Sequence, residues 1–396
     1  MLDTPKANRL HIAIFGKRNA GKSSLINALT GQEMALVSDM AGTTTDPVYK
    51  AMELLPIGPV VIIDTAGLDD VGELGELRVK KSKEVMEKTD LALLVFDSTD
   101  EDYSFEKEWH SRLRDKKIPT IGVINKIDIK DKELESYEKE FDMPFVKVSA
   151  ADRINIDKLK RAIQLHAPEG FEAETIVGDI LPQKALVVLV APQDIQAPKG
   201  RLILPQVQTI RDLLDHDAMA LTVKDAELED LLSSLNRKPD LVITDSQIFG
   251  KISKIIPREI PLTSFSILMA RYKGDLAELI EGAKQIGRLK SGDKVLIAEA
   301  CTHHSLEGDI GREKLPKWLR EYSGAELDIT IKAGVDFSDD LSQYAIVVHC
   351  GACMFNKKQM MSRLERTRND NVPITNYGVA IAYMNGILER VTEMFF

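Results

Sequence analysis

Gly16-Lys-Arg-Asn19-Ala20-Gly21-Lys22-Ser23-Ser24 follows the apolar run Leu10–Phe15 and opens the helix-like stretch Ser24–Leu29. The pattern is G-x-x-x-x-G-K-S, a phosphate-binding loop. Its glycines let backbone N–H groups around Ala20 and Gly21 wrap the phosphates. Lys22 reaches the β and γ phosphates, and the Ser23 hydroxyl binds magnesium. A strand before and a helix after are the context this chemistry needs, and they commit the first part of the chain to an α/β fold.

Four more motifs lie downstream at matching spacing. Asp64-Thr-Ala-Gly67 ends the apolar run Val60–Ile63, where a carboxylate holds magnesium through water and Gly67 senses the γ-phosphate. Gly42-Thr43-Thr44-Thr45-Asp46 lies between it and the phosphate loop, where a switch threonine such as Thr44 belongs. Asn125-Lys126-Ile127-Asp128 follows the run Thr120–Asn125. The Asp128 carboxylate accepts from N1–H and the 2-amino group of guanine, donors that adenine lacks. Ser149-Ala150 follows Phe145–Ser149 and closes over the base. With Leu91–Asp97, these runs predict a mostly parallel, doubly wound sheet. Five motifs in order exclude a chance Gly-rich turn.

This part resembles the TrmE–Era GTPases. It departs from small signalling GTPases in having Leu68 after Gly67, not a water-orienting glutamine, so a slow intrinsic rate is expected. The resemblance implies that Asn19 helps bind a potassium ion. It also makes Glu76 the best match by offset for an activating glutamate, with Glu73 close by. Lys22, Thr44, Gly67 and Glu76 are the expected catalytic groups.

The 396 residues suit two or three domains, and 44% hydrophobic with 29% charged residues suits a soluble globular protein. A net charge of −10 discounts general nucleic-acid binding. No run approaches the roughly 20 apolar residues of a membrane span, and the N-terminus lacks a signal-peptide core, so a cytoplasmic protein with no membrane partner is expected. The GTP-binding domain is expected over 1–170. Ala185–Val190, Ala218–Val223, Leu241–Thr244 and Ile260–Ser266 predict a small α/β domain over 171–266 that carries no chemical motif, a unit for association. Val295–Glu299, Leu327–Ile331, Ala345–His349 and Val372–Thr375 predict a second small α/β domain over 267–396. No internal repeat stands out beyond loose βα alternation.

All three cysteines lie in the last part, as Cys301-Thr-His303 and His349-Cys350-Gly-Ala-Cys353, together with three of the seven histidines. Three thiols make no disulfide framework. Thiolates beside histidines are a soft donor set. Structural zinc would take three sulfurs and one histidine, and an iron–sulfur cluster would take three sulfurs and leave one iron to His303, His349, water or an outside group. Residue chemistry alone leaves both open.

C-x-H, a spacer and H-C-x-x-C behind a TrmE-like GTPase are similar to the HydF family, GTPases of FeFe-hydrogenase maturation. The resemblance covers the whole chain. It implies a 4Fe–4S cluster on Cys301, Cys350 and Cys353, with histidine as a candidate fourth ligand, and GTP with Mg2+ in the first domain. It further implies homodimerisation through the middle domain and a scaffold or carrier role for a two-iron precursor. The implied partners are radical-SAM maturases and apo-hydrogenase. Two rivals differ in class: a zinc-containing GTPase of RNA modification or ribosome assembly, and a switch whose nucleotide only orders a partner surface.

Overall fold

The structure, a computed structural model, describes residues 8–31, 48–54, 57–65, 81, 83–168, 175–192, 202–300, 309–334, 337 and 340–396. The chain divides into two compact units, Met1–Ala173 and Glu174–Phe396.

The first unit is built on strands β1 (Leu10–Gly16), β2 (Val48–Leu54), β3 (Gly58–Asp64), β4 (Leu91–Asp97), β5 (Thr120–Asn125) and β6 (Phe145–Lys147). They form one sheet in the order β2-β3-β1-β4-β5-β6. All pairings are parallel except β2 with β3. Every residue of β1 is buried, because helices cover both faces of the sheet and leave no solvent side for polar alternation. One face packs under helices Lys22–Thr30 and Ile156–His166 through Leu25, Leu29, Leu159 and Ile163. The other packs under helix Ser104–Asp115, and there Phe96 makes edge-to-face contacts with Tyr103, Tyr137, Phe141 and Phe145. Strand β2, an antiparallel edge strand, is an element the sequence reading did not anticipate.

The second unit holds two four-stranded sheets. The first contains β7 (Leu186–Val190), β8 (Met219–Val223), β9 (Leu241–Thr244) and β10 (Leu262–Ser264). The second contains β11 (Lys294–Glu299), β12 (Asp328–Ala333), β13 (Ile346–His349) and β14 (Ile374–Asn376). The orders are β10-β9-β7-β8 and β12-β11-β13-β14. Read from the second strand of each, both are 2-1-3-4, and every pairing is parallel. The unit is therefore an internal duplication, which corrects the expectation that no repeat is present. Its trace is visible in Pro261-Leu-Thr263-Ser-Phe265 against Pro373-Ile-Thr375-Asn-Tyr377, followed in each half by Ala270/Ala382, Gly274/Gly386 and Leu276/Leu388.

The halves exchange their last helices. Helix Leu276–Ala283, which follows the first sheet, packs on β14 of the second, so closely that a Cβ on Gly282 would lie 1.8 Å from the Ile374 carbonyl oxygen. Helix Leu388–Thr392, which follows the second sheet, packs on β10 of the first, where Thr263 Oγ1 donates to the Val391 carbonyl at 3.0 Å. One continuous core containing Val188, Val242, Leu279, Leu296 and Val347 joins both sheets. The boundary expected at 266–267 falls inside helix Phe265–Lys273, which begins where Ser264 Oγ accepts from Ile267 N–H. That cap ends β10 two residues earlier than the apolar pattern suggests.

Candidate functional site

The nucleotide motifs meet at the carboxyl ends of β1, β3, β5 and β6, where open parallel sheets place their ligands. The register sets Ile14 against Asp64, so the magnesium motif comes level with the start of the phosphate loop. Gly16 (φ +154°) has no room for a Cβ, which would fall 2.7 Å from the Val95 carbonyl oxygen. At Gly21 (φ +86°) it would fall 2.2 Å from Asn125 Nδ2. Asn19 is left-handed without being glycine, at φ 61°. The Lys22 ammonium donates to the Gly16 and Lys17 carbonyls at 2.6 Å each, folded back over the loop it would extend across on meeting phosphates.

Ser23 Oγ donates to Asp64 Oδ2 at 3.2 Å. Asp64 Oδ1 is buried and, among the described residues, has no hydrogen-bond partner. Burial raises the Asp64 carboxyl, with Lys22 and Ser23 acting in the opposite sense. A partly buried hydroxyl–carboxylate pair with an unsatisfied oxygen is a donor set that fits Mg2+. Asn125 is buried and ties the two ends of the pocket together: its Nδ2 donates to the Ala20 carbonyl at 2.9 Å and its Oδ1 accepts from Ala150 N–H at 3.0 Å. Lys126 (φ 65°) pairs with Asp97 at 2.6 Å. Burial works against ionised Asp97, yet bonds from Lys126 and Thr99 hold its carboxyl below the usual range. Ser149 Oγ accepts from Asp152 N–H at 3.1 Å and shapes the loop that Ala150 begins. Asp97, the partner of Lys126, is a residue the motif reading missed. Its signal is its place at the end of β4, level with Asn125. Thr44, Gly67, Leu68, Glu73 and Glu76 lie outside the described residues.

Cys350 and Cys353 occupy the matching place in the second unit. Strands β11 and β13 are neighbours in the sheet, with their onward connections diverging to β12 and β14, the switch point of this order. Cys350 follows β13. Its sulfur accepts from the N–H of Ala300, the residue before Cys301, at 3.0 Å. Cys350 and Cys353 are half-buried and in no disulfide. Ala352 between them is left-handed at φ 50°, a costly conformation for a residue with a Cβ. This turn and its donor chemistry fit a thiolate-bound metal centre. Cys301 and His303 lie outside the described residues, and among the described residues no group of three metal-ligating side chains is assembled.

His349 is fully buried, and both ring nitrogens are engaged. Nε2 accepts from Arg363 at 2.7 Å, which leaves Nδ1 to donate to the Cys350 carbonyl at 2.8 Å. Burial first, then the Arg363 charge, pushes its pKa down to about 3, so the ring is neutral. Arg363 is itself stacked on Phe337 and Phe355, 4.6 and 4.5 Å from the ring centroids. His349 therefore braces the Cys350 backbone, and ligating a metal would break one of these bonds. Lys273, which the sequence reading did not single out, is 1% exposed. Its ammonium donates to the carbonyls of Ala352 (3.1 Å), Cys353 (3.2 Å) and Phe355 (2.9 Å).

Residues 176–274 match the family described as the hydrogen maturase F dimerization domain, and residues 277–394 its tetramerization domain. Together the two matches span more than half of the chain. The chain belongs to the hydrogen maturase F family. Residues 11–126 match the family described as 50S ribosome-binding GTPase, so this HydF-family chain carries a GTPase domain ahead of its association domains. Curated relatives match over about two fifths of the chain. The tRNA modification GTPase MnmE of Coxiella burnetii is 37% identical over 41% of this chain and 35% of its own length. GTPase Der of Mycoplasmopsis pulmonis is 38% identical over 38% of each. The chain thus spans little more than a third of the curated relatives it matches. Among solved structures, Era with MgGDPNP and nucleotides of 16S ribosomal RNA aligns at 22% identity and TM-score 0.37, over 61% of this chain and 92% of that one. The G domain of the T. maritima FeoB iron transporter aligns at 25% identity and TM-score 0.32, over 40% and 98%. No helix among the described residues is long and apolar enough to cross a membrane.

Proposed function

We propose that the protein is a GTP-hydrolysing iron–sulfur scaffold that carries the two-iron precursor of the FeFe-hydrogenase active site to apo-hydrogenase. The observation that supports this reading most is the order of parts in one chain: a GTPase domain, then the two hydrogen maturase F domains, the second containing the cysteine turn at its sheet's switch point. Cys301, Cys350 and Cys353 would hold a 4Fe–4S cluster, which supplies an iron site for joining the precursor. Between the two candidate histidines the engaged ring of His349 favours His303 as the fourth ligand. GTP and Mg2+ would sit on Gly16, Asn19, Ala20, Gly21, Lys22, Ser23, Ser24, Thr44, Asp64 and Gly67, with Asn125, Lys126, Asp128, Ser149 and Ala150 around the base. Asn19 would ligate potassium, and Glu76 would activate water. GTP state would act on the Gly42–Asp46 and Gly67–Glu76 segments, which change a surface that partners read.

In this reading the protein works as an oligomer in the cytoplasm, with radical-SAM maturases as donors of the precursor and apo-hydrogenase as acceptor. The edge strand β8 and helix Leu204–Asp215 expose Met219, Val207 and Leu214, an apolar surface suited to self-association. The test is a pair of variants measured in GTP hydrolysis and in a complete maturation assay. Lys22→Ala should keep the cluster spectrum and lose both activities. Cys350→Ala should hydrolyse GTP normally and fail in maturation. Wild-type maturation by Lys22→Ala protein shown to bind no GTP would reject the switch role. Equal hydrolysis in potassium and sodium at matched ionic strength would reject the potassium site.

A further inference from the structure

Lys273 ends helix Phe265–Lys273, which belongs to the first half of the duplication, yet its ammonium enters the cysteine turn of the second half. The three carbonyls it holds belong to residues 352, 353 and 355, so one side chain fixes both sides of Cys353 and the strained Ala352. Its burial is nearly complete, and among the described residues no carboxylate pairs with it. Burial pushes its pKa down to about 8, and the charges that oppose this shift are those of Cys353 and Cys350. A buried ammonium with no acidic partner is rare unless an anion completes it.

The duplication supplies an internal control. In the repeat, Lys273-Gly274 aligns with Asn385-Gly386, and the turn after β9 that matches Cys350-Gly351-Ala352 is Asp245-Ser246-Gln247. Asn385 lies against the residues following that turn: a Cβ on Gly250 would sit 3.4 Å from its Oδ1. The two helices end differently, at Lys273 before an extended Gly274 (φ −131°) and at Met384 with Asn385 as the cap before a left-handed Gly386 (φ 67°), so the repeat shows only that a neutral amide stands at the aligned position. The ammonium stands only where the turn carries thiols.

We propose that Lys273 is the positioning residue of the cysteine site: it locks the Cys350–Cys353 turn in its ligating shape and sets a fixed positive charge beside the anionic cluster. This rests on the cluster reading above. The fixed charge favours the reduced, more negative cluster, and the three hydrogen bonds favour metal capture by holding the turn before metal arrives.

The test uses the full-length chain as wild type, Lys273→Met, Lys273→Gln and Asn385→Ala, each checked by thermal melting. Lys273→Met removes charge and donors, whereas Lys273→Gln removes charge and keeps a donor. Iron per chain and the midpoint potential are measured after anaerobic reconstitution. Both Lys273 variants should shift to a more negative potential, Lys273→Met should lose several-fold in iron, Lys273→Gln should lose less, and Asn385→Ala should match wild type. Wild-type iron and potential in Lys273→Met overturn the proposal. If Lys273→Met does not fold, an unshifted potential in Lys273→Gln overturns it. A wild type that takes up no iron rejects the cluster reading instead. Co2+ titration of the reduced chain then decides for Lys273: tenfold weaker binding in Lys273→Gln supports the clamp, and equal binding overturns it.

Discussion

Replacing Asn125 by Ala removes the tie between the phosphate loop and the base-closing loop. Two buried hydrogen bonds are lost, at 2.9 Å to the Ala20 carbonyl and 3.0 Å from Ala150 N–H. Each backbone partner left unpaired costs about 1–1.5 kcal/mol, since water reaches the relaxed pocket only in part. The total of about 2–3 kcal/mol divides between the stability of the nucleotide unit and its nucleotide affinity. Taken wholly by affinity, it corresponds to roughly 30- to 150-fold. Urea unfolding without nucleotide and calorimetric GDP titration measure the two shares, and their sum is the predicted quantity. Asn125→Asp should cost more than Asn125→Ala despite being isosteric, because it faces the Ala20 carbonyl with an oxygen where Nδ2 now donates. An Asn125→Ala protein within threefold of wild-type affinity and about 0.5 kcal/mol of wild-type stability would refute the reasoning.

Gly282→Ala should destabilise the second unit by about 3 kcal/mol, because its Cβ would press into the Ile374 carbonyl and force a helix off β14. Gly250→Ala, whose Cβ would meet only the Asn385 side-chain oxygen at 3.4 Å on a helical backbone, should be neutral or slightly stabilising, and scanning calorimetry separates the two. Burial pushes Glu106 up to about 7 from its ordinary 4.5, an effect the Lys17 charge only partly offsets. An acid with a raised native pKa loses stability as pH climbs from about 4.5 through 7, so Glu106→Gln should gain up to about 3 kcal/mol more at pH 8 than at pH 5. A pH-independent effect on melting would contradict that sign. Asp128→Asn should weaken GTP and favour xanthine nucleotides, whose 2-oxo group accepts from the new amide; equal wild-type affinity for ATP and GTP would contradict the assignment.

The parallel strands were legible because strands buried on both faces read as unbroken apolar runs, as Leu91–Asp97 and Thr120–Asn125 do. Strand β2 (Val48–Leu54) escaped because it is an edge strand interrupted by Lys50 and Glu53, with neither a buried run nor clean alternation. The duplication escaped because only about eight positions repeat, at turns and close helix–strand contacts, while the chemistry of the two β-strand ends diverged from Asp245-Ser246-Gln247 to Cys350-Gly351-Ala352. His349 looked like a ligand because adjacency to a cysteine is visible in sequence, whereas the Arg363 that occupies its ring comes from a helix 14 residues on. Lys273 looked like any last-turn lysine. Only the turn that closes over it, 79 to 82 residues away in sequence, makes it part of the site.

The central claim is that a GTPase and an iron–sulfur site share this chain. Its most direct test is iron, sulfide and zinc analysis with an absorption spectrum, on wild type and Cys301→Ala reconstituted anaerobically. About four irons per wild-type chain with an iron–sulfur chromophore are expected, with loss of both in Cys301→Ala. One tightly bound zinc per chain with no chromophore would contradict it.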